Sequence, residues 1–138
     1  MAESIVATEY AGATAAEIAE RCAVPRVVLY DEISSTLDAA HPLARDGAPE
    51  GTLLLAERQT AGRGRGGRAW SSDARAGIWL TLIARPADEA ALEVLSLRVG
   101  LAAAAALDPY ASDDVRVKWP NDLMVSGGKL GGILIESR

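Results

Sequence analysis

The feature that most constrains the fold is the stretch from Thr60 to Gly77, where glycine, arginine and serine replace every apolar periodicity. A helix or strand with one buried face needs apolar residues at a period near 3.6 or 2. This stretch offers neither, so the chain must make a long irregular connection there. Such connections are uncommon in compact domains and are usually functional. The fold has to carry it between two strand-like runs, Thr52-Leu53-Leu54-Leu55-Ala56 before it and Gly77 to Arg85 after it. In the second run Ile78, Leu80 and Leu82 fall on one side and Trp79, Thr81 and Ile83 on the other.

The rest of the chain reads as alternating short elements. Thr14 followed by Glu17 is a capping box that opens a helix to about Ala23, ended by Pro25. Val27-Val28-Leu29-Tyr30 reads as a buried strand. Ser35 with Asp38 repeats the capping pattern and starts a helix to about Arg45. Asp88 to Leu107 is the longest helix. Val115 and Val117 alternate with Arg116 and Lys118 in a half-exposed strand closed by Pro120. Leu123-Met124-Val125 and Leu130 to Ile135 are strands joined through Ser126-Gly127-Gly128. With a closing meander of three strands, the expected class is α+β: a mixed, largely antiparallel sheet with helices on one side.

Composition excludes several classes. The 138 residues are 49% apolar and carry a net charge of −5, which fits one globular domain and disfavours coating of nucleic acid or anionic membranes. A single cysteine, Cys22, and a single histidine, His41, provide neither a disulfide nor a zinc cluster, so no metal site is expected. Cys22 reads as a buried spacer on a helix and His41 as a loop or surface residue. The longest apolar stretch, Leu101 to Leu107, is far shorter than the roughly 20 residues of a membrane span. No signal peptide is visible, and the cytoplasm is the expected compartment.

Chemistry-bearing residues gather in three places. Residues 58–75 hold Arg58, Arg63, Arg65, Arg68 and Arg75 against one acid, Asp73. Glycines let this mobile loop approach a ligand closely, and guanidinium groups match phosphate and carboxylate oxygens, so an anionic small ligand such as ATP is one reading and a solvated loop the other. Gly62, Gly64 and Gly67 match G-x-G-x-x-G, but no helix opens after them, as a dinucleotide fingerprint requires. The same arginines beside Trp70 are also a pattern for single-stranded nucleic acid, against which the acidic remainder speaks. The second cluster, Lys118-Trp119-Pro120-Asn121-Asp122, can present Asn121 and Asp122 to a ligand or be an ordinary turn. In the third, Lys129 is followed by Gly131 and Gly132, where a ligand or a neighbouring backbone packs directly on the strand.

In this order the three clusters resemble the biotin protein ligases. The family's patterns look like G-R-G-R-x-G-R-x-W, K-W-P-N-D and K-x-x-G-I-L-x-E, and stand here at Gly62 to Trp70, Lys118 to Asp122 and Lys129 to Glu136. Ser35-Thr36, where the family usually reads S-T-N, and Ala56 to Ala61 extend the likeness across Arg26 to Arg138. The resemblance implies a fold related to class II aminoacyl-tRNA synthetases and lipoate ligases. It also implies adenylation of biotin by Mg-ATP to biotinyl-5′-AMP, then transfer to a lysine of the biotin carboxyl carrier domain of acetyl-CoA carboxylase or a related carboxylase. Biotin and ATP would be substrates, with no tightly bound cofactor.

By the same resemblance Ser35, Thr36, the Leu37 position and Gln59 line the biotin side, with Gly62, Arg63, Gly64 and Arg65 closing over it and Gly131 and Gly132 against it. Arg65, Arg68, Trp70, Asn121 and Asp122 shape the nucleotide side. Lys129 meets both the carboxylate and the α-phosphate, so that Lys129, Arg63 and Arg65 are the implied catalytic groups. Two departures stand out: Leu37 replaces the usual asparagine and Gly66 a common arginine.

The expected organisation is the N-terminal portion of the catalytic domain over residues 1–138, with residues 1–25 a leading helix, no winged-helix domain, and the family's C-terminal cap absent. A ligase without repressor activity follows as an expectation, with no nucleic-acid or membrane partner. An exposed terminal strand edge would invite a homodimer. A lipoate-type ligase, or a truncated non-catalytic binder of biotin or nucleotide, are the alternative readings.

Overall fold

In a computed structural model of the chain, residues 4–137 are described. They fall into two compact units, one ending at Arg85 and the other starting at Pro86.

The first unit is built on a four-stranded sheet whose strands lie in the order Ile5–Val6 (β1), Val27–Ile33 (β4), Leu53–Gln59 (β5) and Trp79–Leu82 (β6). Strands β4 and β5 run parallel, whereas β1 and β6 flank them antiparallel. The sheet is thus mixed, as expected. Its helices, however, lie one on each face rather than on one side. Alternation along β5 explains this. Leu53 and Leu55 join Leu29 in a cluster with Ala15 and Ile18 of α1 (Ala15–Cys22). Leu54 and Ala56 join Tyr30 and Ile33 in a second cluster with Ala39 and Ala40 of α2 (Thr36–Arg45). Both strands extend past the expected ends, and β5 runs up to Gln59, where the irregular stretch begins.

Before α1 a small hairpin, β2 (Glu9–Tyr10) with β3 (Ala13–Thr14), turns through Ala11 and Gly12, both at positive φ. That is the primed two-residue turn whose twist suits paired strands; an alanine in its first position hid it from a reading based on Asn-Gly or Gly-Gly. The capping box of α1 is present as expected: Thr14 Oγ1 accepts from the Glu17 backbone N–H, and the Thr14 backbone N–H donates to Glu17 Oε2 at 2.8 Å. Cys22 is exposed rather than buried, because it lies on the outer face of an eight-residue amphipathic helix. His41 lies within α2, half-buried, and not in a loop.

The second unit joins α3 (Glu89–Leu107) to a three-stranded antiparallel meander, β7 (Arg116–Lys118), β8 (Asp122–Val125) and β9 (Gly128–Gly132). The meander was expected; its separation from the four-stranded sheet was not. Asp88 caps α3 by accepting from the Ala91 backbone N–H at 2.8 Å. Gly100 and Ala104 are the buried residues of α3. A Cβ at Gly100 would stand 3.4 Å from both Val117 and Ile133, so the small residue permits close helix–sheet packing. The helix and its following turn, Glu89–Tyr110, are long and apolar enough to cross a membrane by length and composition alone, a test that the core helix of a soluble protein also passes. The expectation drawn from Leu101 to Leu107 alone missed this, since it stopped at Gly100. Strand β9 overlaps the expected Leu130 to Ile135 strand but starts two residues earlier and ends at Gly132, before Ile133-Leu134-Ile135. The β8–β9 turn uses Ser126 and Gly127 at positive φ.

Candidate active site

The arginine–glycine stretch is ordered by backbone pairing. Gln59 N donates to Ser72 O at 3.0 Å, Trp70 N to Gly62 O at 2.8 Å and Gly64 N to Arg68 O at 2.7 Å. These bonds fold residues 59–72 into an antiparallel ribbon whose tip is a short 3₁₀ turn, Arg65–Gly67. The expected structureless loop is therefore a hairpin-like ribbon, invisible to periodicity because neither side has an apolar face. Gly66 and Gly67 both have positive φ, which explains a pair of glycines at the tip. Gly62 is required for another reason: a Cβ there would lie 2.6 Å from the Trp70 carbonyl oxygen and from Ser72 Oγ.

The ribbon is fastened over the start of α2. Thr60 N donates to Ile33 O at 2.9 Å and Ala61 N to Ser34 O at 2.8 Å, and Arg63 Nη2 is ion-paired with Asp38 Oδ1. Beneath it runs a chain of buried and half-buried polar side chains. Gln59 Oε1 accepts from the Thr36 backbone N–H at 2.8 Å and from Thr36 Oγ1 at 3.1 Å. Thr36 Oγ1 shares a 2.8 Å hydrogen bond with Thr81 Oγ1. Gln59 Nε2 donates to Ser72 Oγ at 3.0 Å, which donates onward to the Trp70 carbonyl. Ser35, Thr36 and Ser72 are all buried. Ser35 occupies the N-cap position of α2 but makes no capping bond through its side chain, so the expected second capping box is not formed. Asp38, its would-be partner, turns to Arg63 instead.

Of the residues singled out in the sequence, the first unit brings Ser35, Thr36, Gln59, Gly62, Arg63 and Gly64 together at this junction. Leu37 is half-buried beside them on α2, Trp70 is half-buried on the returning side of the ribbon, and Arg65 and Arg68 are exposed at its tip. Thr81, Ser72 and Asp38 were missed. Thr81 left a signal, a hydroxyl on the side of β6 that also carries the buried Ile83. A concavity of about 660 Å³ elsewhere in this unit is lined by Glu9, Asp31, Glu57 and Arg75. Three carboxylates to one guanidinium make it a poor seat for an anion.

In the second unit, Lys129 Nζ forms an ion pair with Asp122 Oδ1 at 2.8 Å across the β8–β9 hairpin. A Cβ at Gly132 would be 3.5 Å from Lys129 Cε and 3.7 Å from Asp122 Oδ1, so the glycine keeps the space in which the two groups meet. Gly131 lies against Leu123. Asn121 donates its side-chain amide to Ile133 O at 3.1 Å while its carbonyl accepts from Ile133 N at 2.8 Å, holding the corner that follows the cis Trp119–Pro120 bond. No cluster of three metal-binding side chains occurs among the described residues.

One unit thus offers a mixed sheet with a polar, arginine-covered helix start, and the other a glycine-rich hairpin bearing Lys129. The model of the Biotin/lipoate A/B protein ligase family matches residues 31–138, and the chain belongs to that family. It is 42% identical over 113 residues to the "Bifunctional ligase/repressor BirA" of Bacillus subtilis, covering 80% of this chain and 34% of that protein. It is 46% identical over 92 residues to the biotin--[acetyl-CoA-carboxylase] ligase of Mycobacterium tuberculosis, covering 63% of this chain and 35% of that one. The chain thus spans about a third of the curated relatives it matches. Among solved structures it resembles the Leishmania major biotin protein ligase in complex with biotinyl-5-AMP, with a TM-score of 0.74 and 30% identity over 83% of this chain and 53% of that one. The Aquifex aeolicus biotin protein ligase in complex with biotin and ATP gives 0.71 and 33% over 82% and 47%.

Proposed function

We propose that this chain carries the biotin-activating site of an ATP-dependent biotin protein ligase. The biotin carboxylate attacks the α-phosphorus of Mg-ATP, an acyl–phosphate bond forms, the α–β phosphoanhydride breaks, and pyrophosphate leaves. The ε-amine of a carrier-domain lysine then attacks the acyl carbon of biotinyl-5′-AMP and releases AMP.

The observation that carries this reading is the arginine ribbon folded over the hydrogen-bonded Thr81-Thr36-Gln59-Ser72 chain, with buried Ser35 beside it. Biotin's ring presents a urea, which needs both donors and acceptors. Hydroxyl and amide side chains already fixed by their neighbours provide these with little loss of freedom on binding. Above them, Arg63 and Arg65 give the positive charge needed to bring a carboxylate to a phosphate, since two anions otherwise repel. Lys129 takes its place at the carboxylate and α-phosphate on its motif and on the resemblance. A folded-down ribbon would also exclude water, to which an acyl-adenylate is labile.

The test is direct. The protein with biotin and ATP should yield biotinyl-5′-AMP by mass spectrometry and equimolar pyrophosphate, and adding a biotin carboxyl carrier domain should raise that domain's mass by one biotinyl group. No adenylate and no calorimetric heat with biotin would refute the proposal; adenylate from lipoate but not biotin would reassign the substrate.

A further inference from the structure

We propose that Asp38 is a positioning residue for Arg63, stationing its guanidinium over the first turn of α2; the inference rests on the biotin-activating function proposed above. The turn Ser35-Thr36-Leu37-Asp38 meets the base of the ribbon through Thr36 and Gln59, and meets its rising side where Asp38 Oδ1 pairs with Arg63 Nη2. An acidic residue at this position of a helix ordinarily reaches back to cap the helix start. Here no capping bond is made through Ser35, and the carboxylate is committed to a residue 25 positions away.

Three features give that commitment a purpose. Arg63 lies between Gly62, which no larger residue can replace without a clash, and Gly64, so its backbone is fixed. An arginine side chain on a fixed backbone still has four rotatable bonds, and a planar fork is useful only when its plane is set. Thr36 and Gln59 hold each other in place at 2.8 Å, and Leu37 puts an apolar group where the resemblance expects an asparagine, so Asp38 is the side chain of this turn that reaches Arg63. Both partners are half-exposed. An ion pair so placed contributes little to stability but sets the direction of a charged hydrogen-bond donor.

The reaction assigns Arg63 to biotin's acyl side, so losing Asp38 should weaken use of biotin more than it weakens the fold. Asp38→Asn is expected to raise KM for biotin about tenfold, as for loss of one charge-assisted orienting bond, with kcat and Tm nearly unchanged. Asp38→Glu should recover most of the loss. In an Arg63→Ala background, Asp38→Asn should add less than about twofold, because a residue that acts through another has nothing further to remove.

Wild-type kinetics in Asp38→Asn would overturn the proposal, and so would an equal loss with and without Arg63. A wild-type protein that makes no biotinyl-5′-AMP would instead overturn the function itself, and this role with it. A wild type that makes adenylate beside an unaffected Arg63→Ala would remove Asp38's role alone.

Discussion

Gly62 is where the ribbon is most intolerant, and its neighbour Gly64 supplies the control. An alanine Cβ at 62 would sit 2.6 Å from the Trp70 carbonyl oxygen, 2.6 Å from Ser72 Oγ and 3.2 Å from Gln59 Nε2. Ordinary contact begins at 3.4 Å, so the carbonyl must retreat by about 0.8 Å (3.4 less 2.6). That retreat pulls on the 2.8 Å Trp70–Gly62 bond and the 3.0 Å Gln59–Ser72 bond. Two weakened hydrogen bonds at about 1 kcal/mol each, or overpacking of about 1–3 kcal/mol if the ribbon holds, bracket the cost. Alanine returns about 0.4–1 kcal/mol by stiffening the unfolded chain. The net expectation for Gly62→Ala is a loss of about 1–2 kcal/mol, with biotin binding weakened roughly tenfold because Gln59 shifts. At Gly64 the new Cβ meets nothing nearer than 3.5 Å and φ is −107°, so Gly64→Ala should be neutral or slightly stabilising. Denaturant midpoints with slopes, and calorimetry with biotin, measure both. Equal midpoints and equal affinities for the two variants would show that the ribbon does not close as described.

The other predictions bear on the hairpin, the buried chain and the helix ends. Lys129→Ala should slow single-turnover adenylate formation by about 100-fold or more, as for loss of a direct electrostatic stabiliser; equal rates would remove its role. Thr81→Val deletes the 2.8 Å bond to Thr36 at nearly constant volume, so it should cost about 1 kcal/mol and weaken biotin binding several-fold in calorimetry. Thr14→Ala should cost about 1 kcal/mol by removing a working cap, whereas Ser35→Ala should change the thermal midpoint little and mainly lower biotin affinity; the reverse order would refute the description of α2. The Thr14 backbone and side-chain hydrogen bonds hold the Glu17 carboxyl below its ordinary value. Its contribution is therefore present above the unfolded-state pKa and disappears as pH falls through the depressed folded-state one. Glu17→Gln should flatten that part of the acid limb in thermal unfolding followed downward from about pH 6.

What the sequence made legible follows from how local each signal is. Thr14 with Glu17, the alternation around Thr81 and the Ser126-Gly127 turn are short-range patterns, and each appears in the structure. Residues 59–72 were misjudged because backbone-to-backbone pairing across a turn needs no apolar period, only glycines that allow close approach. The split of helices across both sheet faces was hidden for a related reason: Leu53-Leu54-Leu55-Ala56 is apolar at every position, so it does not announce which side is covered. Ser72 and Asp38 were invisible because their roles depend on partners brought in by the ribbon's fold. The expected Leu130 to Ile135 strand overlaps β9 but runs three residues too far, since the apolar Ile133-Leu134-Ile135 run, not pairing, set its end.

Comparing the three helices explains why the site lies where it does. A helix start leaves backbone N–H groups without intrahelical partners, and side-chain caps normally satisfy some of them. Helix α1 uses Thr14 and Glu17 for this, and α3 uses Asp88. Helix α2 has equivalent residue types in Ser35 and Asp38, yet neither is used as a cap. Gln59 from β5 instead accepts from the Thr36 N–H, which satisfies the helix from outside and leaves Ser35 and Asp38 available for other bonds. The start of α2 is therefore held by the strand that leads into the ribbon, so the polar cluster, the helix end and the arginine loop form one cooperative structure. Displacing any one of them removes a hydrogen-bond partner from the next, so the three are coupled.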